Sequence, residues 1–214
     1  MYEIFSQYFP LWIFILIMVG TPGPANLLLL SSGAQNGFIK TIPFISGLVS
    51  GKLFLNILFS LGLGIIIRDY SILLKIFTYI SVIYMIWLSL RGWNAHKKEI
   101  YNESILGYKE GLFVHPLSPK TWAMCLIAFS KFTEGFTGIF EIYFLVPTSF
   151  FVLQIVFHNL WCLIGDSINK TIGLNSYLNR VLIFITNGTV YQENLKIIFH
   201  LQKLTNTNHY THQL

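Results

Sequence analysis

Lys52, Lys120, His158 and Asp166 are ionisable side chains set within or at the end of long apolar runs. A charge in such a place is costly in hydrocarbon and usually marks a path for an ion or a solute. Lys120 follows a proline break and is assigned to the pathway. Lys52, His158 and Asp166 are candidates for ion coupling, each beside a plainer reading. Lys52 can snorkel to the cytoplasmic interface, Asp166 can cap the solvated end of its run, and His158 can pack as a satisfied ring. Asn26, Asn56 and Asn159 can hydrogen-bond a solute or tie helices together. A metal reading rests on His115, Cys125, His158 and Cys162, of which His158 and Cys162 are four apart on one helix face. No second pair has that spacing, so metal-ion transport is the minor reading and no metal or other cofactor is expected. Gly47-Leu-Val-Ser-Gly51-Lys52-Leu53 imitates a phosphate loop but is one residue short between the glycines and lacks the terminal Ser or Thr. An enzyme would gather Asp, Glu or His at one place, and Asp166 has no evident carboxylate partner.

Prolines supply the second kind of signal. The chain has seven, and Pro22, Pro24, Pro43, Pro116, Pro119 and Pro147 lie within or at the start of apolar runs. Proline removes a donor and frees the carbonyl four residues earlier. In a bilayer such broken backbone must face protein or a wet cavity. Gly20-Thr21-Pro22-Gly23-Pro24 is the sharpest interruption; it should leave the carbonyls of Met18 and Gly20 free and start a half-helix near Ala25 and Asn26. His115-Pro116-Leu117-Ser118-Pro119-Lys120 is a similar one. Downstream of each come an apolar run, a serine (Ser31-Ser32, Ser130) and a Gly-Phe pair (Gly37-Phe38, Gly135-Phe136). Pro22 and Pro119 are 97 positions apart, an offset of three spans, so the second copy should be inserted upside down. Interrupted helices at matching places of an inverted repeat are the sequence signature of a secondary transporter. The site predicted from these breaks comprises Thr21, Pro22, Gly23, Pro24, Asn26, Asn56, Ser118, Pro119, Lys120 and Asn159. Half-helix N-termini there would receive a carboxylate, and the freed carbonyls an ammonium.

The elements that must position these residues are membrane helices. Of 214 residues, 54% are hydrophobic and only 11% charged, where a soluble domain carries about 25% charged residues; mean hydropathy is +0.61. Apolar runs at about 9–31, 42–67, 71–93, 111–132 and 142–165 predict five clear spans, with a weak sixth at about 174–190. The fold expected is all-α, a polytopic membrane helix bundle with a 3+3 inverted repeat. Residues 1–190 form its membrane domain and 191–214 a polar tail, in which Leu195, Ile198, Phe199 and Leu201 suggest an interfacial amphipathic helix. With the N-terminus outside, cytoplasmic loops hold Lys40, Arg91, Lys97, Lys98, Lys109, Lys170 and Arg180, against Arg68, Lys75 and Lys131 opposite, in keeping with the positive-inside bias. The net charge of +5 is spread along loops rather than gathered on a face, so nucleic acid is not expected as a partner. Cys125 and Cys162 lie in apolar runs and are not expected to pair.

Thr21-Pro22-Gly23-Pro24-Ala25-Asn26, Ser31-Ser32-Gly33-Ala34 and Asn36-Gly37 resemble the LysE/RhtB family of amino-acid exporters. So do Gly47, Gly51, Gly62-Leu63-Gly64 and Ser118-Pro119-Lys120, over about residues 8–186. Asn159-Leu160-Trp161-Cys162-Leu163-Ile164-Gly165 looks like the fifth helix of the cysteine and O-acetylserine exporter branch. The resemblance implies amino-acid efflux by a multi-pass transporter of the cytoplasmic (inner) membrane, with a small amino acid and the lipid bilayer as partners. A homo-oligomer is left open. Ser118 stands where the family has Asn, and from Asn187 onward the chain is polar and unlike the family. A truncated, inactive member serving only as a membrane-embedded scaffold is therefore the alternative expectation.

Overall fold

Prolines open two of the helices, whereas Pro10 and Pro43 are carried inside others. The computed structural model describes residues 2–64, 106–132 and 140–172, with single helical positions between 66 and 87 and between 181 and 192. The helices are α1 (Tyr2–Gly20), α2 (Pro24–Asn36), α3 (Phe38–Ser60), α4 (Tyr108–Val114), α5 (Pro119–Lys131) and α6 (Val146–Ile172), the last preceded by a π-helical turn, Glu141–Leu145. Among the described residues there is no strand. Pro24 and Pro119 each stand at a helix start, where the missing N–H would have had no intrahelical partner anyway. Between α1 and α2 the axis bends by 48°. Gly37, at φ 79°, joins α2 to α3 in the left-handed region that glycine enters without strain.

α6 is the central element, packed against α1, α2 and α3, while α4 lies on α3. Small residues let the backbones close up. A Cβ on Gly33 would meet the carbonyl of Cys162, and one on Gly165 the carbonyl of Leu30, so α2 and α6 touch backbone to backbone. Gly47 and Gly51 meet Tyr108 and Leu112 in the same way, with Gly111 facing Phe44 from α4. One apolar core joins Leu11, Ile15 and Val19 of α1 to Met124 of α5 and Phe150 of α6. Another joins Leu29 of α2 to Phe44 and Leu48 of α3.

Polarity is distributed as in a bilayer protein. Ile13, Ile17, Phe54, Ile57, Val152, Val156, Leu160 and Ile164 face outward, whereas Asn26, Lys52, Asn56, His115, Gln154 and His158 are buried. Phe38–Ser60 (mean hydropathy 1.7) and Glu141–Thr171 (1.5) are each long and apolar enough to cross a membrane, and the bent pair α1–α2 makes a third candidate. Among the described residues that makes two or three candidate spans, where five clear ones were expected along the whole chain. The 111–132 run is divided into α4 and α5 by Pro116 and Pro119, and neither piece alone is long enough. The runs at 71–93 and 174–190 and the tail 191–214 lie largely outside the described residues. The fifth run continues past its expected end at 165 to Ile172, because Asp166 and Lys170 satisfy one another one turn apart, at 2.7 Å.

Candidate functional site

The first break is closed by side chains. Asn26 Nδ2 donates to the carbonyls of Val19 (2.8 Å) and Thr21 (2.9 Å). Thr21 Oγ1 donates to the carbonyl of Met18 (3.1 Å), and Trp161 Nε1, from α6, to that of Gly20 (3.3 Å). The carbonyls of Met18 and Gly20, expected to be free, are therefore engaged. A buried unsatisfied carbonyl costs about 1–3 kcal/mol, which is why a break in this place carries donors with it. Gly23, extended at φ −147° and ψ 176°, precedes α2 and offers no side-chain cap. The first N–H groups of α2 are thus left without an intrahelical acceptor.

The second break is closed mostly by its own backbone. Leu117 N–H donates to the carbonyl of Phe113 and Ser118 N–H to that of His115, both at 3.0 Å. Trp122 Nε1 takes the carbonyl of Pro116 at 2.6 Å. α5 also begins without a side-chain cap, at Ser118. Lys120, in its first turn, reaches across to the first break, with Nζ 3.0 Å from Thr21 Oγ1 and 3.4 Å from its carbonyl. His115 is buried and bonded on both ring nitrogens. Gln154 Nε2 lies 2.8 Å from Nε2 and Thr121 Oγ1 3.0 Å from Nδ1. An amide nitrogen only donates, so Nε2 of the neutral ring accepts and Nδ1–H donates to the threonine. His158 lies parallel to His115, ring centroids 5.3 Å apart at 11°.

Between the two breaks is a small hollow, a cavity of about 30 Å³ that is partly open to the outside. Gly23, Pro24 and Asn26 line it from the first break, Ser118, Lys120 and Thr121 from the second, and His115, Gln154 and His158 complete the polar wall. Among the described residues no Asp or Glu lines it. Gln154 Oε1 and His158 Nδ1 are buried without a hydrogen-bond partner. Thr21 is held to this group through Lys120, while Pro22 and Pro119 set the backbone beside it. Gln154 was not named by sequence reasoning, and His115 entered only through the metal reading and the start of the second break. The clue to Gln154 was its spacing, four positions before His158, in an apolar run.

The other expected residues lie elsewhere. Lys52 is fully buried, which overturns the snorkelling reading. Its Nζ is 2.9 Å from Cys125 Sγ and 4.2 Å from the centre of the Phe150 ring. Its neighbour Asn56 accepts from Cys125 Sγ at 3.4 Å through Oδ1, and its Nδ2 has no partner. Lys52, Asn56 and Cys125 thus form a second buried polar group, on α3 and α5. Asn159 bonds back to the carbonyl of Ile155 on its own helix at 2.6 Å. Asp166 is buried beside Gly37 rather than solvated at a helix end. Of the four residues in the metal reading only the two histidines meet: Cys125 is with Lys52, and Cys162 packs against Gly33. No group of three metal-ligating side chains occurs among the described residues.

Residues 16–182 match the family model of the LysE type translocators. The chain belongs to that family. A LysE type translocator moves solutes through the membrane, and both helix breaks of this one fall inside the matched region. No curated protein and no solved structure matches the chain significantly.

Proposed function

We propose that this translocator exports a small neutral or polar amino acid, or a derivative, across the cytoplasmic membrane by ion-coupled alternating access. The observation that carries the reading is the hollow into which both uncapped helix starts face, α2 through Gly23 and Pro24, α5 through Ser118 and Lys120. Helix N-termini present unpaired N–H groups and about half a positive charge, and Lys120 adds a full one. A carboxylate is the complement of that arrangement. Thr21, Pro22, Gly23, Pro24, Asn26, Ser118, Pro119 and Lys120 are its pathway residues. Asn56 and Asn159 are kept as pathway residues for a second conformation.

An inverted 3+3 repeat gives the two breaks opposite orientations, so that each opens the hollow to one side in turn. Export against a gradient needs a driving ion, most simply a proton, and Lys52, His158 and Asp166 are the candidates to carry it. The sequence around Asn159–Gly165 favours a substrate like that of the cysteine and O-acetylserine exporters. The test is a metabolite comparison of media from cells with and without the protein. Accumulation of one amino acid outside the expressing cells is the expected result, and identical media would remove the proposal. The scaffold reading draws on the polar sequence after Asn187. Reporters at Asn187 and Leu214 that both read cytoplasmic, together with absent transport, would favour it.

A further inference from the structure

The breaks account for a carboxylate, but not for the other end of an amino acid. An ammonium needs acceptors, and each break carbonyl already takes at least one donor: Met18 from Thr21, Val19 and Thr21 from Asn26, Gly20 from Trp161, Pro116 from Trp122. The wall opposite supplies what they do not. Gln154 and His158 are one turn apart on one face of α6, both are nearly fully buried (1% exposed), and both line the hollow. Gln154 Oε1 and His158 Nδ1 have no partner, an arrangement that buried polar atoms rarely keep unless something else satisfies them. The Gln154 amide is already oriented, because its Nε2 is spent on His115, which is itself tied to Thr121. We propose that Gln154 Oε1, with His158 Nδ1 beside it, receives the ammonium group of the transported amino acid while its carboxylate lies at Lys120 and the starts of α2 and α5.

This inference rests on the exporter reading and narrows its substrate. Both acceptors are neutral, and no Asp or Glu lines the hollow among the described residues. One ammonium is therefore matched by dipoles and the carboxylate by Lys120, leaving no described carboxylate to pair with a second cationic group. Lysine and arginine are expected to bind more weakly than neutral amino acids. Met18, Val19, Ala25 and Met124 line the remaining wall, which suits a short, uncharged side chain.

The test uses the full chain in lipid nanodiscs and thermal stabilisation by a panel of probes. The panel holds the neutral L-amino acids, their desamino carboxylic acids, L-lysine and L-arginine. Stabilisation by at least one neutral amino acid is expected, with none from its desamino counterpart and less from the basic pair. Gln154→Leu should weaken apparent affinity about tenfold or more, as loss of a hydrogen bond to a charged group does, and Gln154→Glu should retain binding. Wild-type affinity in Gln154→Leu, or equal binding of the desamino acids, overturns the inference and leaves the exporter reading standing. If no amino acid stabilises the wild type, the exporter reading falls and takes this assignment with it. Should Gln154→Leu fail to insert, Gln154→Asn withdraws the same acceptor by one methylene, and undiminished affinity there counts against the inference.

Discussion

The two helix breaks share a sequence device and differ in how their backbone is satisfied. Each has an extended, uncapped residue, Gly23 or Ser118, followed by a proline at the helix start. In the first, the loose carbonyls are bound by side chains, one of them Trp161 from α6, and Lys120 of α5 adds a contact at Thr21. In the second, neighbouring N–H groups and Trp122 of the same segment do the work. A break served from a distance is tied to the position of other helices, and one served locally is not. Asn26 is the hub of the first break, since its one amide group serves two carbonyls.

The largest effect should come from healing the first break. Pro22→Ala with Pro24→Ala restores two N–H groups to a continuous helix. Efflux of the exported amino acid should drop to background while membrane insertion, read by topology reporters, is unchanged; sustained efflux would show that the interruption is only a bend. Next is Lys52→Met, which tests the polar group of Lys52, Asn56 and Cys125. Lys52 has a thiol and a ring face beside its ammonium group, and among the described residues no carboxylate pairs with it. Removing a buried charge so placed should raise thermal stability and stop coupled efflux; a fall in melting temperature would instead make Lys52 structural.

Smaller effects separate the two breaks energetically. Asn26→Ala strands the carbonyl of Val19 and leaves that of Thr21 to Lys120 alone, and unfolding in mild detergent should be easier by about 1–3 kcal/mol. No change in stability would mean that water fills the gap and that the first break is less dependent on its hub than its bonds suggest. The smallest is Trp161→Phe, which keeps the ring and removes only the 3.3 Å bond to Gly20. A loss of about 1 kcal/mol is expected, with no counterpart at the second break, whose donors are local.

Much of this molecule was legible as sequence. Composition placed it in a bilayer, and the Pro-Gly segments marked where helices end, because a missing N–H acts within four residues of itself. Gly47 and Gly51 were readable as packing positions for the same reason: a missing side chain permits close approach whatever arrives. The limits were equally physical. Asp166 was expected at a wetted helix end, but burial depends on the loop that comes to cover it, here at Gly37. For Lys52 the sequence left a buried coupling role and a reach for the interface open, because the direction a long side chain takes depends on its neighbours, and Cys125 is 73 positions away in the chain.

The chain's own chemistry, then, determined an all-helical membrane protein with two interruptions and put the prolines, glycines and first-turn residues of those interruptions in place. Tertiary structure alone decided what the interruptions enclose. It brought Lys120 to Thr21 across 99 positions and Gln154 to His115 across 39, and it filled the carbonyls that local reasoning left open. Backbone propensity and proline chemistry act over a turn of helix, whereas the pairing of buried donors with acceptors is settled only when helices distant in sequence are pressed together and water is driven from between them.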